Sequence, residues 1–75
     1  MSLSLANKLY AGRFFNADSE YVNHQLVSIT DLDDEAKVAY VVLQRYTIDG
    51  LANVYKDADS SSMGIPYSEF ANLNQ

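Results

Sequence analysis

Residues 36–46, AKVAYVVLQRY, constrain the fold more than any other part of this sequence. They are mostly apolar, and their β-branched and aromatic side chains suit a pleated, well-covered surface. An extended chain turns alternate side chains to opposite faces, and both faces of this stretch are apolar in the middle. The stretch therefore predicts a central strand buried on both sides, with one face formed by Val38, Tyr40 and Val42 and the other by Ala39, Val41 and Leu43.

A helix is the alternative for the same residues, and it would make the chain a small α+β domain with residues 31–46 helical. The acids at 33–35 would suit the first turn of that helix, with Thr30 as its cap. We favour the strand because valines lose side-chain freedom in a helix and the flanking segments are typical of strand and turn. The helical stripe would consist of Ala36, Ala39, Tyr40, Leu43 and Tyr46.

Length and composition indicate one small domain. A chain of 75 residues is near the lower end of what a single core supports, so residues 1–75 are predicted to form one β-barrel domain. Residues 1–4 are expected to be disordered or derived from cloning. The chain has no cysteine, which excludes a disulfide framework and a thiolate metal site.

The charge balance limits the classes of partner. Ten acidic residues against five basic ones give a net charge of −5, and the basic residues are spread singly along the chain. Nucleic acid and anionic membrane surfaces both require clustered Lys and Arg, so neither is expected as a partner. No apolar run approaches the ~20 residues of a membrane span, and no secretory signal is recognisable. We therefore expect a cytoplasmic protein whose partner is a protein or peptide, with a preference for basic ones.

The remaining segments predict short strands joined by tight turns. Asp49-Gly50 is a strong hairpin signal, Gly12 permits a bend, and residues 57–62 are expected to be a solvated loop. In the strand before the charged turn at 31–35, Val27 and Ile29 are expected to face the core. The strands are predicted at 13–15, 25–30, 36–46, 51–56 and 71–73, with a helical turn among residues 5–10.

The C-terminal segment completes the predicted fold. Pro66 is suited to the start of a short 3₁₀ turn over residues 66–70, which would place Tyr67 and Phe70 on the end of a barrel. The fold class predicted is all-β: a small SH3-like antiparallel barrel of about five short strands with a 3₁₀ turn near the C-terminus.

This order of elements resembles the DUF1653-type family of small uncharacterised bacterial domains. That family places a Val-x-Tyr-x-x-Leu strand before a terminal Pro-x-x-x-Phe element, although Gly64 and Ile65 stand where it usually has tryptophan and arginine. The resemblance covers about residues 25–73 and implies an SH3-like β fold without an established chemistry. The matching residues are Val38, Tyr40, Leu43, Pro66 and Phe70.

No motif predicts catalysis or a cofactor. The acids at 31–35 lack the glycine and the closing glutamate of a calcium loop. Asp57, Asp59 and Ser61 alternate as calcium ligands would, but the glycine and the glutamate are again out of register. His24 is the single histidine, without a nucleophile motif beside it, and is expected to open a strand at the surface. We therefore expect a non-enzymatic protein with no metal and no cofactor.

Six tyrosines are the candidates for a binding surface. Tyrosine combines a rigid apolar ring with a polar tip and suits peptide grooves. Tyr40 is expected in the core. The predicted function is an interaction module for a protein or peptide, and the alternative is a structural, self-assembling homo-oligomer such as a homodimer. The predicted surface consists of Tyr46, Tyr55, Tyr67, Asp49 and Asp57.

Overall fold

The computed structural model describes residues 2–74, apart from the side chain of Ala58. The chain is mostly β, with one α-helix at its start and a 3₁₀ helix near its end. The elements follow in the order α1 (Leu3–Tyr10), β1 (His24–Asp33), β2 (Val38–Ile48), β3 (Val54–Pro66) and the 3₁₀ helix (Tyr67–Asn72).

The strands form an antiparallel sheet in the order β1-β2-β3, with β2 in the centre as predicted. Two isolated bridges extend the pairing beyond these strands. Phe14 pairs with Gln25 of β1, and Phe15 pairs with Leu73 after the 3₁₀ helix. The short extended pieces expected at 13–15 and 71–73 are therefore single bridges, and the described residues form three strands where five were predicted.

Among residues 2–74 the two faces of β2 differ in burial, so the prediction of a central strand buried on both sides is wrong at Tyr40. Ala39, Val41 and Leu43 are completely buried, whereas Tyr40 on the opposite face is 45% exposed. The core cluster combines sheet residues with residues of α1, the bridges and the 3₁₀ helix, namely Ala6, Phe15, Leu26, Ile29, Ala39, Val41, Leu43, Ile65, Phe70 and Leu73.

Two bulges set the inward residues of β1. The register with β2 shifts between Leu26 and Ser28 and again between Ile29 and Asp31. Each bulge adds one residue, so the inward side chains of β1 are spaced by three instead of two. Leu26 and Ile29 are buried while Val27 is 42% exposed. The prediction that Val27 faces the core is wrong for this reason.

The third strand is longer than predicted. Residues 57–62 were expected to be a solvated loop, but they belong to β3, and residues 60–62 pair with β2, for example Ser62 with Val42 and Ser61 with Leu43. Ser60, Ser61 and Ser62 are exposed. The pairing is made by the backbone, which the composition of this segment does not indicate.

Residues 2–4 form the cap and the start of α1. Ser2 caps α1 by accepting a hydrogen bond from the Leu5 amide at 3.1 Å, so Ser2 to Ser4 are helix and cap where disorder was expected. Gly12 adopts φ +89° and forms the predicted bend after the helix. Met1 lies outside the described residues.

Candidate functional site

The two edges of the sheet differ in how their backbone groups are satisfied. At the β1 edge, the Asn7 side chain of α1 donates to the Ile29 carbonyl at 2.8 Å and accepts from the Ile29 amide at 2.9 Å. Farther along, the Leu26 amide donates to the Arg13 carbonyl at 2.9 Å, and Gly12 donates to the Leu26 carbonyl at 2.7 Å. The β1 edge is therefore closed by the segment that precedes it.

The β3 edge has no such cover within residues 2–74. There β3 pairs with β2 alone, and no described backbone group bonds to its outer side. Ser60, Ser61, Ser62 and Gly64 are all exposed, so short side chains flank the free backbone. An unpaired edge of this kind is able to accept another strand.

A bulge divides β3 into two parts. Pairing with β2 shifts between Gln44 and Tyr46, opposite residues 57–59. The buried Gln44 side chain donates to the Asp57 carbonyl at 2.6 Å and lies 3.4 Å from the Asp59 carbonyl. This amide holds the bulge in place by satisfying carbonyls that the regular ladder leaves unpaired.

Beyond β1, residues 47–55 project as a two-stranded hairpin, here called the hairpin arm. Its base is fixed where the Tyr46 amide donates to the Asn23 carbonyl at 2.8 Å. No described residue of β1 pairs with the arm itself. The arm exposes its apolar residues to solvent, with Leu51 at 85%, Val54 at 59% and Ile48 at 51%.

Asp49 organises the tip of the arm. Its carboxylate accepts hydrogen bonds from the amides of Leu51 and Asn53, at 2.8 and 2.9 Å, and from the Asn53 side chain at 3.0 Å. These bonds, above all the one from the Asn53 backbone, lower the pKa of Asp49. The hairpin lies where Asp49-Gly50 predicted it, but the positive φ of +62° falls on Ala52 and the loop spans residues 49–53.

Three of the predicted site residues lie on the arm and at its base. The Tyr55 hydroxyl donates to Asp49 at 3.2 Å, and the ring is 54% exposed. Asp57 accepts from the Thr47 hydroxyl at 2.8 Å and lies 3.6 Å from the Arg45 guanidinium. Asp49 and Asp57 therefore stabilise the arm, and Tyr55 is the member of this group whose ring is available for contact.

The structure separates the other two predicted site residues from that group. Tyr46 lies at the base of the arm, where its hydroxyl donates to Gln25 at 3.0 Å and its ring packs against Phe14. Tyr46 pairs with Lys56, and the next residue, Thr47, pairs with Tyr55. Because successive residues of a strand point to opposite faces, Tyr46 and Tyr55 do so as well.

Tyr67 lies at the opposite end of β3. Its hydroxyl donates to Asp34 at 2.8 Å, and its ring stacks on Phe70. Burial and this hydrogen bond raise the pKa of Tyr67 to about 12. The same hydrogen bond lowers the pKa of Asp34. Tyr55 lies near the start of β3 and Tyr67 just after its end, so the five predicted residues do not form one surface.

Sequence reasoning missed the uncovered face of the sheet, called here the outer face. It consists of the outward side chains of β2 with the residues paired to them. Tyr40 lies opposite Gly64, where a Cβ would come within 3.3 Å of the tyrosine ring. The alternation of residues 38–46 did indicate two faces, but both were apolar and neither was marked as exposed. By alternation along β2 this row consists of Val38, Tyr40, Val42, Gln44 and Tyr46. Of these, Tyr40 is exposed, Gln44 is buried and the other three are half-buried.

The polar groups singled out for chemistry stand apart. His24 opens β1 as predicted, with Nδ1 3.2 Å from the carbonyl oxygens of Tyr21 and Val22. Asp33 is used in its turn, where it accepts from the amides of Glu35 and Ala36. Among residues 2–74, no three His, Asp or Glu side chains converge as metal ligands would, and no enclosed pocket is present.

Comparisons with known proteins give no relative for this chain: no family model matches it, and neither does any curated protein or solved structure. Within the described residues, no helix has the length and apolar character needed to cross a membrane.

Proposed function

We propose that this protein is a non-enzymatic interaction module that binds an extended segment of another protein along the β3 edge. The observation that carries this proposal is the contrast between the two edges. Asn7 and the residues around Arg13 satisfy the backbone at β1, while nothing described pairs with the outer side of β3. Strand addition to an open edge is a recurrent mode of peptide recognition.

The chemistry of the edge favours a partner with basic residues. Asp59 is exposed beside the free backbone, and the whole chain carries a net charge of −5. A field of this sign increases the encounter rate of cationic segments. Backbone hydrogen bonds would supply most of the affinity, because Ser60 to Ser62 offer little side-chain surface. Tyr55, at the start of β3, adds an exposed ring for one side chain of the partner.

The finer fold assignment belongs to the same proposal. We propose that the sheet and its two bridges form an SH3-like barrel. The bridges support this arrangement because they continue the order of the sheet from β1 through Phe14–Phe15 to Leu73. The 3₁₀ helix immediately before Leu73 packs Phe70 against the same core. This module would then bind its partner at the rim of the barrel and leave the interior filled.

The test uses a short extended peptide containing Lys and Thr, with the same peptide N-methylated at alternate residues as the control. We expect the unmodified peptide to shift the amide NMR signals of residues 59–65 and to leave those of β1 unchanged. N-methylation should abolish the effect because it removes the donors that pair with the edge. Equal binding of both peptides, or shifts confined to β1, would contradict the proposal.

A protein variant separates charge from edge pairing. Asp59→Lys should weaken binding of the same peptide about fivefold, since it replaces an attraction by a repulsion beside the edge. Asp18→Lys is the matched control, because Asp18 is also exposed and lies in the loop before β1. If the two variants bind alike, the basic character of the partner is contradicted while strand addition is not.

Self-assembly is the second candidate function, and a separate observation favours it. The outer face is apolar along β2 although no described residue covers it at Tyr40. The Tyr40 ring is 45% exposed there, and exposed apolar surface is a feature of interaction sites.

A further inference from the structure

The outer face has polarised charge at its two ends. Lys56 pairs with Tyr46 across β2 and β3, so its side chain lies on the outer face near the hairpin arm. Asp31 pairs with Tyr40 across β1 and β2, so its side chain lies on the same face near the β1–β2 turn. Asp33, paired with Val38, adds a second carboxylate at that end.

These ends are arranged symmetrically about the middle of β2. Tyr40 pairs with Asp31 at the acidic end, and Tyr46 pairs with Lys56 at the basic end. Leu43 lies three residues from each tyrosine. Between them, the outward side chain of Val42 is half-buried and apolar, and its β3 partner Ser62 is small. A twofold axis through this point would exchange the acidic end with the basic end.

We propose that a second copy of this chain covers the outer face, with the two sheets packed face to face about a twofold axis at the level of Leu43. In this homodimer Tyr40 of one copy faces Tyr46 of the other, and the two copies of Val42 lie beside each other next to the axis. Lys56 of each copy faces Asp31 and Asp33 of its partner. The interface is isologous, so each attraction occurs twice. Antiparallel sheets pack in this aligned way in β-sandwiches.

The opposite charges at the two ends of the outer face favour a second copy of this chain over an unrelated apolar surface. A basic partner would meet Lys56 at one end, and an acidic partner would meet Asp31 at the other. Only a surface with the opposite polarity matches both ends, and the chain itself provides that surface when it is rotated by half a turn. The additional apolar burial also suits a chain of 75 residues, whose own core is small. This proposal is independent of the β3 edge, which remains free in such a dimer.

Sedimentation equilibrium over a range of concentrations tests the dimer. The wild type should change from the 8.4 kDa monomer to twice that mass as concentration rises. Val42→Glu should remove the dimer, because it places a carboxylate in the centre of the interface. A wild type that stays monomeric at every concentration overturns the proposal, and so does a Val42→Glu variant that still dimerises.

A charge exchange tests the twofold arrangement. Lys56→Glu and Asp31→Lys should each weaken dimerisation about tenfold, since each replaces two attractions by two repulsions. The double variant should dimerise within about threefold of the wild type, because the exchanged charges attract again. Circular dichroism confirms that the exposed substitutions leave each variant folded. Single variants that dimerise as well as the wild type, or a double variant that does not recover, overturn this arrangement.

Discussion

At the scale of single residues, two hydroxyl–carboxylate contacts show how this chain uses the groups that attract attention in its sequence. Asp49 and Tyr67 were both assigned to a binding surface, yet Asp49 accepts from the Tyr55 hydroxyl and Tyr67 donates to Asp34. Tyrosine hydroxyls and exposed acids are versatile hydrogen-bonding groups, and a turn nearby often satisfies them. Sequence spacing does not show which of them are already used.

The Asp49 carboxylate predicts an acid-sensitive hairpin arm. Its folded-state pKa is lowered below the ordinary value of 3.8, chiefly by the bond from Asn53. The stability that it contributes is therefore present above pH 3.8 and is lost as the pH falls through the lower folded value. We expect amide hydrogen exchange of Leu51 and Asn53 to accelerate in that acidic range. In Asp49→Asn the exchange should be faster at neutral pH and less dependent on acid; unchanged protection would contradict this role.

Tyr67 predicts a change at alkaline pH. Its folded pKa of about 12 exceeds the ordinary value of 10.0 because of burial and the bond to Asp34. The folded state therefore retains the proton more strongly, and stability is lost as the pH rises from about 10 towards 12. Absorbance titration should show Tyr67 ionising after an ordinary tyrosine, and Tyr67→Phe should remove this late step. If the step persists in Tyr67→Phe, it belongs to another tyrosine.

At the scale of elements, the helix α1 has a specific task at the sheet edge. It buries Ala6, while Leu5 and Leu9 remain 48% and 43% exposed. Its strongest connection to the sheet is polar: Asn7 bonds both backbone groups of Ile29. This side chain takes the place of a neighbouring strand at the point where the second bulge of β1 begins.

Replacing Asn7 should therefore destabilise the protein more than an ordinary surface change. Asn7→Leu leaves the amide and carbonyl of buried Ile29 without partners, at a cost of about 1–3 kcal/mol in the free energy of unfolding. Lys8→Leu, one position along the same helix, is the matched control and should change it by less than about 0.5 kcal/mol. Urea unfolding measures both. Equal effects would show that Asn7 acts only through helix propensity.

Elements also show where sequence reasoning succeeded. The strand at 36–46 was predicted because its valines and tyrosines favour an extended chain, and the antiparallel pairing followed from the short turns. The segment 57–62 was missed because Asp, Ala and Ser carry no strand signal. The Gln44 amide, which donates to the Asp57 carbonyl, is a contact that this composition does not indicate. The inward residues of β1 were missed because bulges replace the period of two by three.

At the scale of the whole molecule, the decisive property is that the sheet has one covered face. Residues 36–46 are apolar on both faces, and from the sequence this is typical of a strand enclosed by two layers. The described residues supply one such layer, made of α1, the bridged segments and the 3₁₀ helix. The remaining apolar face was therefore assigned to the interior, and Tyr40 with it. Composition reports that a side chain is apolar but not what covers it.

Val41 and Val42 provide a matched test of this one-sided architecture, because they are neighbours of the same type on opposite faces. Val41 is completely buried, while Val42 is half-buried on the outer face. Val41→Ala should lower the free energy of unfolding by about 2 kcal/mol or more through lost burial and a cavity. Val42→Ala should lower it by about 1 kcal/mol or less, and both variants lose the same β propensity, which cancels in the comparison.

The comparison belongs at protein concentrations low enough for the monomer. At such concentrations the difference in free energy of unfolding between Val41→Ala and Val42→Ala is a property of the monomer alone. As the concentration rises, the cost of Val42→Ala should increase and that of Val41→Ala should not, because only Val42 lies in the proposed interface and association stabilises the folded state by mass action. Equal costs in the monomer would mean that the outer face is already covered within one chain. The sheet would then have two buried faces, and the outer face could not bind a second copy.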